Sequence, residues 1–385
     1  MKNSIKAGMV ALGALALSGA AQAQDVIKVG MIVPLTGPQA AAGQQMVAAA
    51  KLYQQFNGTK VGNKTIELII KDDGAVADVT RRLAQELIVN EKVAVLTGFG
   101  LTPLALAVGP VITQAKVPAV IGVAATSMIV STSPYFIRAS FTLPQLTAPV
   151  AQWAVENGVK TAVTLVSDYG PGLDAAAAFK KRLEAGGGKV VDELKAPLAD
   201  PDFAPFLQRA KDLKPDALFL FTPAPTAGSL MKQVVDRGLP ASGIKILGTG
   251  DVTDDDQLNR MGDELIGMIT SYNYSADHDS PENKKYVEEF KKANNGRRPN
   301  ALGLGAFDSM HVVYAAIAKT NGDTDGAKLL AAMKGLSWVS PRGPMSIDPE
   351  TRDVVQNIYV RKVEKKNGEL YNVEFKTYEN QKDPK

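Results

Sequence analysis

The chain alternates short runs of β-branched residues with longer stretches whose apolar side chains recur every three to four positions. Val26 to Val33 is typical of a buried strand. Between Ala40 and Phe56, the residues Met46, Ala50 and Tyr53 fall on one helical face. Further strands are predicted at 66–70, 93–96 and 117–121, and further helices at 76–90 and 104–114. Such alternation predicts a parallel sheet with helices on both faces.

A second unit of the same kind follows a break. Prolines and hydroxyl-bearing residues interrupt the pattern at 135–149. It then resumes with strands predicted at 162–166, 189–194, 217–221 and 245–247, and with helices at 171–185, at 202–213 and up to Arg237. Beyond Ser280 the chain has helical periodicity at 286–290 and 307–319 and β-like runs at 354–363 and 370–375. These fragments are too scattered for a third core, so we expect them to complete the first two units, with the chain crossing between them more than once.

The first residues have the composition of an export signal. Lys2 and Lys6 precede an uncharged, largely apolar run from Ala7 to Ala20, and Ala21-Gln22-Ala23 supplies small residues at the positions that a signal peptidase recognises. The run is shorter than the roughly 20 residues of a membrane-spanning helix. We therefore expect residues 1–23 to be a signal peptide that is cleaved near Ala23, and the mature protein to be periplasmic.

Charge and cysteine content narrow the classes of partner. The formal charge is +3, and loss of the two leader lysines would reduce it to +1. No uninterrupted run of like charges indicates a nucleic acid or membrane-surface partner. The chain has no cysteine, so neither a disulfide nor a lipoprotein anchor is expected.

The sequence predicts no catalytic or metal-binding chemistry. The two histidines, His278 and His311, are far apart in sequence, and no nucleophile elbow, HExxH or Walker-type motif occurs. Asp72-Asp73 could be an acid–base or metal pair, although acidic residues at a strand end more often cap a helix or close a turn. The run 254–256 is better interpreted as the start of a helix than as a calcium loop. We expect no catalytic residue, no cofactor and no bound metal.

Two loops at the carboxyl ends of predicted strands are candidates for binding a small solute. One contains Gly100, Leu101 and Thr102, with Thr102 placed to cap the following helix and Pro103 to begin it. The start of such a helix offers unpaired N–H groups to an anion. The other loop, 122–127, includes Ala124, Ala125 and Thr126. From these residues alone the two threonines could equally be helix caps without any ligand.

Several segments together resemble one known family, the type I periplasmic binding proteins of the branched-chain amino acid (Leu/Ile/Val) class. The resemblance runs in order through nearly the whole chain after the leader. The segments are IKVGMIVPLTGP at 27–38, KDDG at 71–74, the loops 97–103 and 122–127, SDYGPG at 167–172 and AFDS at 306–309.

The resemblance implies an α/β fold of two doubly wound, parallel-sheet lobes joined by a three-crossover hinge that closes on the ligand. The implied lobes are 24–140 plus 272–353 and 141–271 plus 354–385. It also implies a monomer that delivers its ligand to the membrane subunits of an ABC importer. Ligand contacts are implied for residues of the two loops and for one aromatic from each lobe. These are Gly100, Leu101, Thr102, Ala124, Ala125, Thr126, Tyr169 and Phe307.

Two departures from the family bear on the ligand. An aromatic residue of the family falls on Ala42, and the acid that pairs with an amino acid's ammonium falls on Gly250, with Asp251 next to it. Because an unpaired buried ammonium is costly, we predict a small carboxylate with an apolar or aromatic body, and Asp251 joins the predicted contacts. The alternatives are a hydrophobic amino acid, or a sensing role that feeds a partner receptor.

Overall fold

The first sheet forms from the β-branched runs near the N-terminus. A computed structural model describes residues 26–384, so the predicted signal peptide 1–23 and its cleavage site lie outside the described residues. The strands are β1 Val26–Val33, β2 Lys60–Val61, β3 Lys64–Asp72, β4 Val95–Gly98, β5 Ala119–Ile121 and β6 Phe136–Arg138. They lie in the order β2-β3-β1-β4-β5-β6, and all except β2 are parallel.

The second sheet contains the other nine strands. They are β7 Thr161–Ser167, β8 Lys189–Ala196, β9 Ala217–Phe221, β10 Lys245–Thr249, β11 Ile269–Tyr272, β12 Ser337–Ser340, β13 Gly343–Ile347, β14 Val354–Lys366 and β15 Glu369–Gln381. The order is β12-β13-β14-β11-β10-β9-β7-β8, with β15 paired to β14. Strands β7 to β11 are parallel, and the strands from β12 onward add antiparallel pairs at one side.

Helices cover both sheets, as their apolar periodicity requires. They are α1 Ala40–Asn57, α2 Ala77–Val89, α3 Thr102–Ala115, α4 Ile129–Thr132, α5 Leu143–Glu156, α6 Gly170–Ala185, α7 Ala204–Leu213, α8 Ala224–Asp236, α9 Pro281–Ala293, α10 Ala301–Lys319 and α11 Gly326–Met333. Helix α10 is long and apolar enough to cross a membrane by length and composition, but most of it is buried against α1 and the first sheet.

The parallel strands of both sheets have one topology. Counted along the chain, β3-β1-β4-β5-β6 and β8-β7-β9-β10-β11 both follow the doubly wound order 2-1-3-4-5. In this order strands 1 and 3 are neighbours, and the connections that follow them run toward opposite edges of the sheet. A crevice opens there at the carboxyl ends of the strands. The fold therefore supplies one crevice on each lobe.

The chain passes between the lobes three times, and buried arginines hold the passages. It leaves the first sheet after β6, returns after β11 so that α9 and α10 pack on α1, and enters the second sheet again with β12. Arg138 forms an ion pair with Asp353 at 2.7 Å. Arg342 pairs with Asp308 at 2.7 Å and donates to the Ala139 carbonyl at 2.6 Å. These contacts join segments that are distant in sequence, as a three-stranded hinge requires.

The division into 24–140 plus 272–353 and 141–271 plus 354–385 remains a proposal. Strands β12 and β13 belong to the first lobe in that division, but their backbones extend the second sheet through β14. Their side chains contact α10 instead: Trp338 and Ser340 each donate to Asp308 at 3.0 Å. This hairpin thus contacts both lobes.

Most predicted elements are present, and two interpretations were wrong. The interrupted stretch 135–149 contains β6 and the first half of α5. Pro144 sits in the first helical turn, where no N–H is needed, and Thr142 caps the helix by accepting from the Gln145 N–H at 3.3 Å. The run 254–256 does not begin an α-helix; it is a turn between two short 3₁₀ segments.

Candidate functional site

A cavity lies between the two crevices, bounded by loops at the carboxyl ends of strands from both sheets. It encloses about 30 Å³, room for roughly two water molecules. The lobes must therefore part to admit an organic solute. The lining residues are Gln39, Ala42, Gly100, Leu101, Thr102, Val123, Ala124, Ala125, Phe141, Leu143, Tyr169, Pro171, Phe221, Pro223, Ala224, Pro225, Asp251 and Leu302.

The first-lobe wall is built around the start of α3. Gly98, with φ +114°, ends β4 where a side chain would lie 2.2 Å from the Ile32 carbonyl oxygen, so only glycine fits. The turn directs the chain into α3. Among the described residues, no acceptor contacts the backbone N–H groups of Gly100, Leu101 and Thr102. These donors and the positive end of the helix dipole form a site suited to a carboxylate.

Thr102 and Thr126 form a pair across the two loops and do not cap helices. Their hydroxyl oxygens lie 3.0 Å apart, and the Thr126 N–H donates to the Thr102 hydroxyl at 3.4 Å. The expected capping role of Thr102 was wrong, because α3 already includes it as its first residue. Thr102 lines the cavity, whereas Thr126, which was also expected to contact the ligand, is not among the lining residues. The pair fixes the spacing between the loops.

A side chain at position 100, such as the hydroxyl residue expected from the family, would be tightly packed. A Cβ on Gly100 would lie 3.0 Å from Cδ and 3.1 Å from Cγ of Pro34. The ring of Pro34 packs against the α3 start, so the loop carries glycine there. The hydroxyl of Thr102, two residues later, is the nearest replacement on the same loop.

Asp251 contributes a buried carboxylate to the second-lobe wall. It follows β10 and is 5% exposed. The Thr249 hydroxyl donates to its Oδ2 at 2.8 Å and the Tyr272 hydroxyl to its Oδ1 at 3.0 Å. Burial raises the pKa of Asp251 to about 6, and the two hydrogen bonds oppose that rise.

The crowding around Gly250 explains why the acidic residue that the family has at this position is absent here. A Cβ there would lie 2.2 Å from Nη2 of Arg361 and 2.3 Å from Cγ of Tyr272. Arg361 is fully buried, and its guanidinium lies over the Tyr272 ring, 5.1 Å from the centroid. No side chain fits at position 250 while these two groups are packed there.

Aromatic and proline side chains form much of the remaining wall. Tyr169 stacks on Phe221 with ring centroids 6.2 Å apart and an interplanar angle of 15°. Phe141 lies 5.5 Å from the ring of Tyr272. Phe221 is the last residue of a strand that the sequence predicts, so the rule that sites lie at carboxyl ends could have identified it. Phe141 lies in a crossing segment and carried no such signal.

Phe307, for which the resemblance implied a ligand contact, is not among the residues that line the cavity. It packs within the first lobe against Tyr53 and Tyr286, with ring centroids 5.0 and 5.1 Å away. Leu302, from the first turn of the same helix, reaches the cavity instead. The helix was predicted from its sequence, but its rotation about its axis was not.

Asp72 has a structural role in the loop between β1 and α1. Its carboxylate accepts from the N–H groups of Leu35, Thr36 and Gly74 and from the Thr36 hydroxyl, at 2.8 to 3.3 Å. These hydrogen bonds hold the pKa of Asp72 below its usual value despite an opposing desolvation effect. Within residues 26–384, no three or more His, Asp or Glu side chains are grouped so as to hold a metal ion.

Comparison with known proteins identifies the family to which this protein belongs. The chain matches the periplasmic binding protein family over residues 26–369 and belongs to that family. It is 57% identical to a solute-binding protein of an ABC transporter from Rhodopseudomonas palustris BisB5, solved in complex with 3,4-dihydroxybenzoic acid. That match has a TM-score of 0.92 and covers 94% of this chain and 99% of the other.

Two further relatives are also named as binding proteins for small solutes. An ABC transporter solute-binding protein of R. palustris in complex with 4-hydroxybenzoate is 43% identical, with a TM-score of 0.90, over 94% of this chain and 99% of its own. The Leu/Ile/Val-binding protein homolog 6 of Brucella abortus (strain 2308) is 45% identical over 98% of both chains. The expected family and two-lobed fold are thereby confirmed.

Proposed function

We propose that this protein binds a small aromatic carboxylate between its lobes and delivers it to the membrane subunits of an ABC importer. The observation that carries the proposal is the make-up of the cavity. One wall presents N–H donors at the start of α3, and much of the remainder consists of aromatic, proline and aliphatic side chains. A planar anion attached to a flat apolar ring matches both parts.

The relatives support the aromatic body of the ligand. The two R. palustris proteins were solved with dihydroxy- and hydroxybenzoate, and both cover nearly the whole of this chain. The small Ala42 lines the cavity where the branched-chain class has an aromatic residue, which leaves more room for a ring.

A hydrophobic amino acid is the second candidate, and Asp251 is the observation that favours it. Its carboxylate faces the cavity and could pair with an ammonium group. The name of the Brucella relative points the same way. An α-amino acid carries its ammonium and its carboxylate on the same carbon. These two groups would have to reach the Asp251 carboxylate of the second lobe and the N–H donors of the first lobe at the same time.

Titration calorimetry on refolded, ligand-stripped protein tests the choice. The panel contains benzoate, 4-hydroxybenzoate, leucine, valine and phenylalanine, and a thermal-shift screen precedes it. Ligand at about a hundred times its dissociation constant adds roughly 2.7 kcal/mol, which raises the melting temperature by a few degrees. Binding of the benzoates without the amino acids supports the proposal. Binding of leucine without either benzoate contradicts it.

We further propose that the protein works in the periplasm as a monomer and does not alter its ligand. Ligand recovered from a saturated sample should be chemically unchanged by mass spectrometry. Sedimentation should give the mass of one chain with and without ligand. A converted product or a ligand-dependent dimer would contradict this part of the proposal.

A further inference from the structure

Asp251 is the one acidic side chain among the described residues that line the cavity, and no lysine, arginine or histidine lines it. An anionic ligand held by the first lobe therefore meets a carboxylate on the second lobe when the lobes close. Two negative charges approaching in an apolar surrounding repel each other strongly. A ligand that places a hydrogen-bond donor against Asp251 turns this repulsion into attraction.

The carboxylate of Asp251 is held in place and has acceptor capacity left. Thr249 occupies one lone pair of Oδ2 and Tyr272 one of Oδ1. A carboxylate accepts about four hydrogen bonds. The two hydroxyls come from the end of β10 and from the adjacent strand β11, so the orientation of the carboxylate is fixed by the second sheet.

The neighbouring tyrosine cannot replace Asp251 as an anionic acceptor. Tyr169 also lines the cavity, and its ring is fixed by stacking on Phe221. Burial and the nearby Asp251 raise the pKa of the Tyr169 hydroxyl well above its usual value, so this hydroxyl stays neutral. It can help to orient a polar group of the ligand but provides no charge for it.

We infer that Asp251 recognises a ring hydroxyl of the ligand, so that the protein selects benzoates hydroxylated away from the carboxylate over benzoate itself. This inference rests on the proposed aromatic carboxylate function and specifies its substrate class. The ligand carboxylate binds the first lobe at α3, and the phenolic O–H donates to Asp251 on the second lobe. The hydroxyl thereby links the two lobes and favours closure.

Ligand pairs of similar size test the inference on the wild-type protein. A fluorine atom resembles a hydroxyl in size but cannot donate, so 4-fluorobenzoate is the matched ligand for 4-hydroxybenzoate. A hydroxyl hydrogen-bonded to a charged acceptor should strengthen binding by about 10- to 100-fold. The isomer 2-hydroxybenzoate keeps its hydroxyl beside the carboxylate and should gain nothing over benzoate.

Variants of the acceptor complete the test. In Asp251→Ala the preference for 4-hydroxybenzoate over 4-fluorobenzoate should fall below about threefold, while benzoate binds as well as before or more tightly. Tyr272→Phe removes one hydrogen bond from the Asp251 carboxylate and should partly reduce the preference for 4-hydroxybenzoate. This variant provides the test if Asp251→Ala does not fold. Asp216→Asn is the control, because Asp216 binds the backbone of Lys160 and Thr161 away from the cavity.

The outcomes separate the inference from the proposed function. Equal affinity for 4-hydroxybenzoate and 4-fluorobenzoate in the wild type overturns the inference and leaves the aromatic carboxylate function intact. A preference that survives in Asp251→Ala also overturns it. If only amino acids bind, the proposed function itself fails.

Discussion

At the scale of single residues, Asp251 and Thr102 face the same cavity from opposite lobes with different chemistry. Asp251 is an acid whose burial raises its pKa. Thr102 is a neutral hydroxyl that holds a second loop through Thr126. A change at either residue alters the site, but of the two only Asp251 titrates and so links the stability of the protein to pH.

Asp251→Asn should change how stability depends on pH in the ligand-free protein. The folded-state pKa of Asp251 is about 6, above the ordinary 3.8. The folded state therefore binds this proton more tightly, and the stability that it contributes is full below about pH 4 and is lost as the pH rises through about 6. The difference amounts to roughly 3 kcal/mol. Denaturant titrations from pH 4 to 8 should find the variant gaining stability relative to the wild type across this window.

The groups around Asp251 contribute little to the difference in pH dependence between the wild type and Asp251→Asn. Tyr169 and Tyr272 have raised pKa values and stay neutral, and Arg361 is a guanidinium that stays charged in this range. Burial also raises the pKa of Asp254, but Asp254 is present in both proteins, so its own titration largely cancels. A stability difference that does not vary with pH would contradict the assigned pKa of Asp251.

Thr102→Val should weaken ligand binding, whereas Phe307→Leu should not. The valine removes the hydroxyl that joins the two loops proposed to hold the ligand carboxylate, and we expect about a 5- to 50-fold loss of affinity. Phe307 packs among Tyr53, Phe56 and Tyr286, so its leucine variant should lose about 1–2 kcal/mol of stability. Calorimetry and denaturation on both variants check this. Equal losses of affinity would restore Phe307 to the site.

At the scale of elements, the start of α6 lies against the loop 122–127 of the other lobe. The Asp174 carboxylate of α6 accepts from the Ser127 N–H at 3.1 Å. A Cβ on Gly170 would lie 2.5 Å from the Thr126 hydroxyl oxygen. The helix can approach the loop this closely because its first residue has no side chain. The contact joins the two lobes.

Gly170→Ala should therefore hinder closure. We expect ligand affinity to fall about tenfold or more, because the added methyl group and the Thr126 side chain cannot occupy the same space. Thr126→Ala is the matched second change, since it removes the obstructing atoms. In that background Gly170→Ala should cost no further affinity, and a calorimetric double-mutant cycle measures the coupling. Additive losses would indicate damage to α6 itself.

At the scale of the whole molecule, the lobes are also joined at residues 294–300, the connection between α9 and α10 on the first lobe. Arg297 binds Asp256 through two nitrogens at 2.7 and 3.3 Å and donates to Gln44 of α1 at 3.2 Å. Asn300 donates to Asp254 at 2.9 Å. Asp254 and Asp256 both follow β10 of the second sheet, so these contacts link the lobes without any ligand.

Arg297→Ala should shift the ligand-free protein toward open conformations. Loss of this half-buried ion pair between the lobes should raise the dissociation constant about 3- to 10-fold, mainly through faster release. Stopped-flow release rates and small-angle scattering measure the two effects. Arg81→Ala is the control, because Arg81 pairs with Asp78 on the exposed face of α2. An equal effect of the two variants would contradict a role for Arg297 in closure.

Much of the fold could be predicted from local pattern. Strands β1 and β9 occur where the sequence predicted them, at 26–33 and 217–221. Each is a short apolar run between turn signals, rich in β-branched residues in β1 and in leucine and phenylalanine in β9. Helix α5 was missed because Pro144 and Pro149 resemble helix breakers, although Pro144 lies in the first turn, which tolerates it. Strands β12 and β13 were missed because they are only four and five residues long, SWVS and GPMSI, and contain no run of β-branched residues.

The sequence by itself determined the α/β class, the two repeated units and the position of two loops that border the cavity, because these depend on periodicity and on which strand ends a loop follows. Only the tertiary structure decided which wall residues reach the cavity. It turned Leu302 inward and Phe307 into the core of the first lobe, brought Phe221 against Tyr169, and left no space for a side chain at Gly250. These outcomes depend on how helices rotate and lobes close, which are set by contacts between residues far apart in the chain.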